Sequence, residues 1–167
     1  EPVTVFGKFE TNTTTVTLNG LLNAGLGALT FSEAGGTSQG QLAIGTNNGN
    51  ELVLGAASAN LIIKIPIINT GSTPGSVLIT GPNTVNIDSA GGASTYTGAT
   101  TVASGTLLVN GAGSINGASG ISVRGATAKY IHASSVASTV PVTVTRGTLD
   151  GTGTLGAVTL GGGTGAT

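Results

Sequence analysis

Glycine, proline, asparagine and paired threonines punctuate this chain so often that a helical window rarely opens. An amphipathic helix needs about ten residues with apolar side chains at i, i+3, i+4 and i+7, and almost everywhere a breaker intervenes first. Glycine supplies 30 of the 167 residues, about 18% where an average chain has near 7%. The Gly- and Pro-free stretch Ala126 to Ser138 competes as a helix. Ile131, Val136 and its scattered Ser and Thr residues give it mediocre helix propensity, so it reads as strand and loop.

What remains are short alternating or β-branched runs bounded by Gly, Asn or Ser. They are Val3 to Phe6, Val16 to Leu18, Ala28 to Phe31, Leu42 to Ile44, Glu51 to Leu54, Leu61 to Ile68, Val77 to Thr80 and Val85 to Ile87. Thr100 to Val102, Thr106 to Val109, Ile121 to Val123, Lys129 to Ile131, Val142 to Thr145, Thr148 to Asp150 and Val158 to Leu160 complete the series. Their centres lie about 6 to 14 residues apart, the spacing of an all-β protein with many short strands.

Two architectures use such strands, an antiparallel sandwich or barrel and a solenoid that lays each strand on the one a coil earlier. Composition favours the solenoid. Only 3% of residues are aromatic and 7% charged, and Trp, Met and Cys are absent. A slender core of small and β-branched side chains, coated outside by Thr, Ser and Asn, needs neither bulk nor charge. Residues 1–167 are therefore expected to form a single β-solenoid domain, part of a longer chain. With about 22 residues per coil it would make seven or eight coils and a rod of about 35 Å.

Several classes of function fall away on composition. Net charge is −1, with five Lys and Arg, none adjacent, so the basic patch needed to neutralise nucleic-acid phosphates is missing. The longest apolar run, Leu61 to Ile68, is interrupted by Lys64 and Pro66 and falls far short of the roughly 18 residues of a membrane helix. Without Cys there are no disulfides, thiolate metal sites or Cys nucleophiles. The chain starts at Glu1 with no charged n-region or apolar stretch after it, so any targeting segment is expected to lie outside these residues.

From Ser76 onward the residues resemble a known family. Tyr96-Thr97-Gly98-Ala99-Thr100-Thr101-Val102, followed by Gly105-Thr106-Leu107-Leu108-Val109-Asn110-Gly111, is similar to the autotransporter-associated β-strand repeat of bacterial passenger domains. That repeat reads as an aromatic, Thr, Gly, any residue, Thr, Thr, Val, a short spacer and Gly-Thr-Leu. Gly147-Thr148-Leu149-Asp150-Gly151 and Val158-Thr159-Leu160 look like its continuation, so residues 76–167 carry the motif, while residues 1–75 hold no clear copy. The resemblance implies a right-handed parallel β-helix, exported through an outer-membrane barrel and displayed on the cell surface as a stalk. Within the motif, Tyr96, Thr97, Gly98, Thr100, Thr101, Gly105, Thr106 and Leu107 are the structural positions. Gly98 is expected to permit a corner and Thr101 to hydrogen-bond a Thr one coil away. Leu107 and Val109 are expected to point inward, with Thr100 mattering less than Leu107.

Candidate chemistry is sparse. Gly151-Thr152-Gly153-Thr154-Leu155-Gly156 satisfies G-x-G-x-x-G, but the fingerprint needs a following helix to receive a pyrophosphate, and Ala157-Val158-Thr159-Leu160 is a strand pattern. The acids Glu1, Glu10, Glu33, Glu51, Asp88 and Asp150 each stand alone. A glycosidase pair would have to be assembled by stacking; solvated carboxylates, with Asp150 a turn residue, are the simpler reading. His132, the only His, reads as a surface or loop residue, since one His makes no zinc site without Cys or nearby carboxylates. Tandem calcium loops are missing, and T-x-T patterns such as Thr143-Val144-Thr145 do not recur every coil as an ice-binding face requires. No catalytic, cofactor-binding or metal-ligating residue is assigned, and no cofactor is expected.

The function that follows is a non-enzymatic extracellular structural or adhesive β-solenoid, the passenger stalk of a bacterial surface or secreted protein, placed outside the cell by the resemblance. Its partners would be host or matrix surface ligands, with no nucleic acid and no membrane span. One alternative is a self-assembling extracellular filament subunit, because an uncapped solenoid presents open strand edges for end-to-end pairing. Another is a polysaccharide-binding or -cleaving β-helix, which requires carboxylates, or Tyr96 and Tyr130, to gather in one groove.

Overall fold

The computed structural model describes residues 3–7, 15–33, 40–88 and 92–161. Its regular elements are short strands, in chain order β1 (Val3–Gly7), β2 (Thr15–Leu18), β3 (Gly20–Asn23), β4 (Leu29–Glu33), β5 (Gln41–Ile44) and β6 (Glu51–Ala56). There follow β7 (Leu61–Ile63), β8 (Ile67–Ile68), β9 (Ser76–Thr80), β10 (Thr84–Ile87), β11 (Thr100–Val102) and β12 (Thr106–Gly111). The last are β13 (Ile121–Val123), β14 (Lys129–Ser134), β15 (Val142–Val144), β16 (Thr148–Asp150) and β17 (Val158–Leu160). Among the described residues the only helical element is a single turn at Asn48–Asn50.

Among the described residues every strand pairing is parallel, and no pairing joins consecutive strands. One sheet of seven strands runs β1-β4-β7-β10-β12-β14-β16, and a second of seven runs β3-β6-β9-β11-β13-β15-β17. A third holds only β2, β5 and β8. The chain is therefore a β-solenoid, of about five turns. Register shows why the turns are fewer than a uniform coil of 22 residues predicts. Leu29 pairs with Leu61, 32 residues on, and Leu61 with Val85, 24 on. Val85 then pairs with Leu107, 22 on, Leu107 with Tyr130, 23 on, and Tyr130 with Leu149, 19 on. Val3 pairs with Leu29, 26 on, so the markedly long coil is the one from β4 to β7, which carries β5.

Beyond β8 that third side continues without strands. Thr95 N–H donates to the Ile67 carbonyl, and Ser94 Oγ accepts from Ile67 N–H. Two coils further on, Ser134 Oγ donates to Gly113 O at 2.6 Å and Asn116 Nδ2 to Ala137 O at 2.9 Å. Ser and Asn side chains here stand in for ladder bonds, the local competition with regular structure that these residues favour.

The run Leu61 to Ile68 is two strands, with Lys64-Ile65-Pro66 turning the chain between sheets. Pro66 has no N–H to give a ladder, although its carbonyl accepts from Leu42 N–H at 2.9 Å. Strand β3 escapes the pattern because Gly20 opens it and Leu22, 62% exposed, breaks the alternation. The stretch Ala126 to Ser138 contains β14, as the propensity argument expects.

Inward side chains form columns along the axis. In the first long sheet Leu61, Val85, Leu107 and Tyr130 stack in one column, and Phe31, Ile63, Ile87, Val109 and His132 in another. In the second, Leu52, Val77, Thr100, Ile121 and Val142 lie beside Leu54, Ile79, Val102, Val123 and Val144. All are buried. At roughly 1.5–3 kcal/mol for each large aliphatic side chain removed from water, these columns are the main stabilising term.

Candidate functional site

The side chains best suited to chemistry are turned into the core and used there. Tyr96 is fully buried, and its hydroxyl shares a 2.6 Å hydrogen bond with Thr100 Oγ1. Thr100 thus occupies a position that every other coil fills with Val, Leu or Ile because the phenol needs a polar partner away from water. Thr100, expected to matter less than Leu107, is itself buried in the same core. Desolvation pushes the Tyr96 phenol well above its ordinary value, with the Thr100 bond opposing the shift.

Tyr130 and His132 form a second buried polar group, two residues apart on β14. Tyr130 Oη lies 3.1 Å from His132 Nδ1, and His132 Nε2 lies 3.2 Å from the Val136 carbonyl. A carbonyl only accepts, so Nε2 donates to the Val136 carbonyl while Nδ1 shares a hydrogen bond with the phenol. The Tyr130 phenol is also pushed up, by desolvation first and then by the proximity of Tyr96. His132, expected at the surface or in a loop, is 2% exposed. The alternation of Lys129 to Ser134 sets its direction, and the Val109 column above it receives it. Neither tyrosine lies in a groove, so neither offers a sugar-stacking platform.

The other motif positions serve the backbone. Thr97 Oγ1 accepts from Asn69 Nδ2 at 2.9 Å and its N–H donates to Asn69 Oδ1 at 3.2 Å, a brace from the preceding coil. Gly98 stacks against Gly75, donating its N–H to the Gly75 carbonyl at 2.9 Å, and a Cβ there would come within 2.9 Å of the Ser76 nitrogen. Its role is close approach of coils rather than a left-handed corner. Gly105 supplies the left-handed residue, with φ of 66°, and a Cβ on it would approach Asn83 O to 2.6 Å. Thr101 lies between Leu78 and Ser122 in register, so no Thr stands a coil away to bond it. Thr106 faces outward between Thr84 and Lys129, and Leu107 is fully buried.

Among the residues whose side chains are described, the carboxylates do not converge. Glu1 and Glu10 lie outside the described residues, and Glu51 begins β6 in the second long sheet. Asp88 follows β10 and Asp150 ends β16 in the first, three strand spacings apart, about 14 Å. Glycosidase pairs stand roughly 5–9.5 Å apart. Asp150 instead pairs with Lys129 at 2.7 Å and accepts Gly151 N–H at 2.7 Å. These contacts, the Lys129 hydrogen bond foremost, hold its carboxyl below the usual range. Among the described residues no group of three or more His, Asp or Glu could hold a metal ion, and no helix is long and apolar enough to cross a membrane. After Gly151-Thr152-Gly153-Thr154-Leu155-Gly156 comes strand β17, not a phosphate-binding helix.

The outer face of the second long sheet carries an open groove of about 590 Å³, lined by Ser122, Arg124, Thr143 and Thr145 with Pro141 and Gly120 at its side. Arg124 Nε donates to Ser122 Oγ at 2.7 Å. The groove is shallow and offers hydroxyls and one guanidinium, a surface for weak polar contact. Asparagine braces are the structural feature that sequence reading missed: Asn19 Nδ2 reaches the carbonyls of Gly45, Asn47 and Glu51 at 2.8, 2.5 and 3.1 Å. Their signal was an Asn at a corner, indistinguishable in sequence from a simple turn residue. Comparison with protein-family models, curated proteins and solved structures finds no match to the chain.

Proposed function

We propose that this chain is a non-enzymatic extracellular β-solenoid that extends or adheres, the stalk of a bacterial surface or secreted protein similar to an autotransporter passenger. In this reading the helix is right-handed and its partial end coils bring the count to seven or eight. The observation that carries it is the inward use of Tyr96, Thr100, Tyr130 and His132, which leaves an outer surface of hydroxyls, amides and scattered charges. Such a surface suits contact with host or matrix ligands, and the groove beside Arg124 offers hydroxyls and a guanidinium for it. The test is a panel of matrix proteins and polysaccharides offered to the purified chain, read for binding and for release of reducing ends. Binding without cleavage supports the proposal. Cleavage lost in Asp88→Asn or Asp150→Asn would establish the enzymatic alternative.

A filament subunit is the second reading, favoured by the far end of the rod. Val158 and Leu160 on β17 pair with buried Val142 and Val144, yet are 44% and 60% exposed. Electron microscopy separates single rods from long filaments.

A further inference from the structure

The chain contains four Asn-Gly pairs, at Asn19, Asn48, Asn110 and Asn116. Such pairs are chemically reactive because glycine's unhindered backbone nitrogen can attack the asparagine side-chain carbonyl. Reaction requires the carboxamide and the following N–H to be free of other bonds and the chain to leave its folded geometry briefly.

Three of the four are pinned. Asn19 is held by its three carbonyl partners. Asn116 donates through Nδ2 to Ala137 O at 2.9 Å and accepts Thr139 N–H through Oδ1 at 3.3 Å. Asn110 is held through its backbone: it lies within β12, paired in register with Ala133 while Gly111 pairs with Ser134, although its buried side-chain oxygen has no hydrogen-bond partner. Reaching the cyclised geometry at any of these means breaking braces between coils.

Asn48 is held neither by a side-chain brace nor by a strand ladder. It is exposed, and among the described residues neither its carboxamide nor the Gly49 N–H makes a hydrogen bond. The turn is also strained. Asn48, Gly49 and Asn50 have φ of 56°, 66° and 59°, three consecutive residues in the left-handed region. For the two asparagines this backbone is less favoured than the right-handed or extended regions, so the fold does not resist leaving that geometry. Nothing lies within 4 Å of where a Gly49 Cβ would sit, so the excursion meets no obstruction.

We infer that Asn48-Gly49 is a site of spontaneous deamidation, taking water as its only co-reactant. The Gly49 nitrogen loses its proton to solvent base and bonds to Asn48 Cγ. The Cγ–Nδ2 bond breaks and the nitrogen leaves as ammonia, giving a cyclic succinimide. Water opens the ring at either carbonyl, giving Asp or isoaspartate at position 48. The product adds one negative charge to a chain of net charge −1, three residues before Glu51. The isoaspartate form also lengthens the backbone in the turn that joins β5 to β6, against the Asn19 brace on Asn47 O.

The experiment incubates the intact purified chain in mildly alkaline buffer made with ¹⁸O-labelled water, followed by peptide mapping with fragmentation that distinguishes Asp from isoaspartate. The expected result is label at position 48 at least tenfold faster than at 19, 110 or 116, with circular dichroism unchanged while it accumulates. Gly49→Ala should slow it at least tenfold, and Asn19→Ala, by freeing the turn, should speed it. Conversion spread evenly over the four pairs, or faster at a braced pair, would overturn the inference, as would an Asn48 that stays intact while a short peptide of the same sequence converts.

Discussion

Raising the pH above the range of a free phenol should unfold this protein through its only two tyrosines. Tyr96 and Tyr130 are both fully shielded from water, and both phenols titrate above their ordinary value of about 10. The folded state keeps them neutral, whereas in the unfolded chain each ionises near pH 10. Their contribution to stability is therefore complete below pH 10 and is lost as the pH rises above it. Each proton released only by the unfolded state lowers stability by about 1.4 kcal/mol per pH unit, so the two together give a slope of about 2.7. From pH 10 to 12 that amounts to about 5 kcal/mol, the lower end of what holds an ordinary domain folded. The assay is a pH titration followed by phenolate absorbance and far-ultraviolet circular dichroism, uncomplicated by Trp, of which there is none. Both signals should change together and well above pH 10, and Tyr130→Phe should halve the slope of denaturant-derived stability against pH. Phenolate appearing near pH 10 while the β signal persists would refute the buried assignment of the tyrosines.

Other substitutions test the in and out assignment. Leu107→Asp places an unpaired carboxylate in a fully buried column and should cost about 4 kcal/mol or more, read by chemical denaturation. Thr100→Ala strands the Tyr96 hydroxyl without its 2.6 Å partner and should cost about 1–3 kcal/mol; a cost near zero would mean the phenol finds another acceptor. Gly105→Ala combines a φ of 66° with a Cβ pressed on Asn83 O and should lower the melting temperature, whereas the same change at half-buried Gly120, which has ordinary φ and where a Cβ would meet only Pro141 O at 3.7 Å, should have little effect. If the exposed end rung drives association, light scattering over a concentration series should show assemblies for the parent that Val158→Lys suppresses.

The sequence by itself determined the class of fold. Breakers every few residues limit any element to a short strand, and scarcity of aromatic and charged residues leaves stacked aliphatic rungs as the available core. Leu107 and Val109 are legible as inward because strand alternation is a local property. Which rung stacks on which is not local. The coil from Leu29 to Leu61 spans 32 residues and that from Tyr130 to Leu149 only 19, a difference that local strand alternation does not encode even though β2 and β8 read as strands. Burial of His132 and Thr100 was equally out of reach, because a polar side chain is stable inside only if a partner meets it. Those partners, Tyr130 with the Val136 carbonyl and the Tyr96 phenol, come into position through the coil that folds around them. The Asn19 brace spans 26 to 32 residues, so a residue that reads as a turn former holds two coils together only once the tertiary structure has brought three carbonyls to its amide.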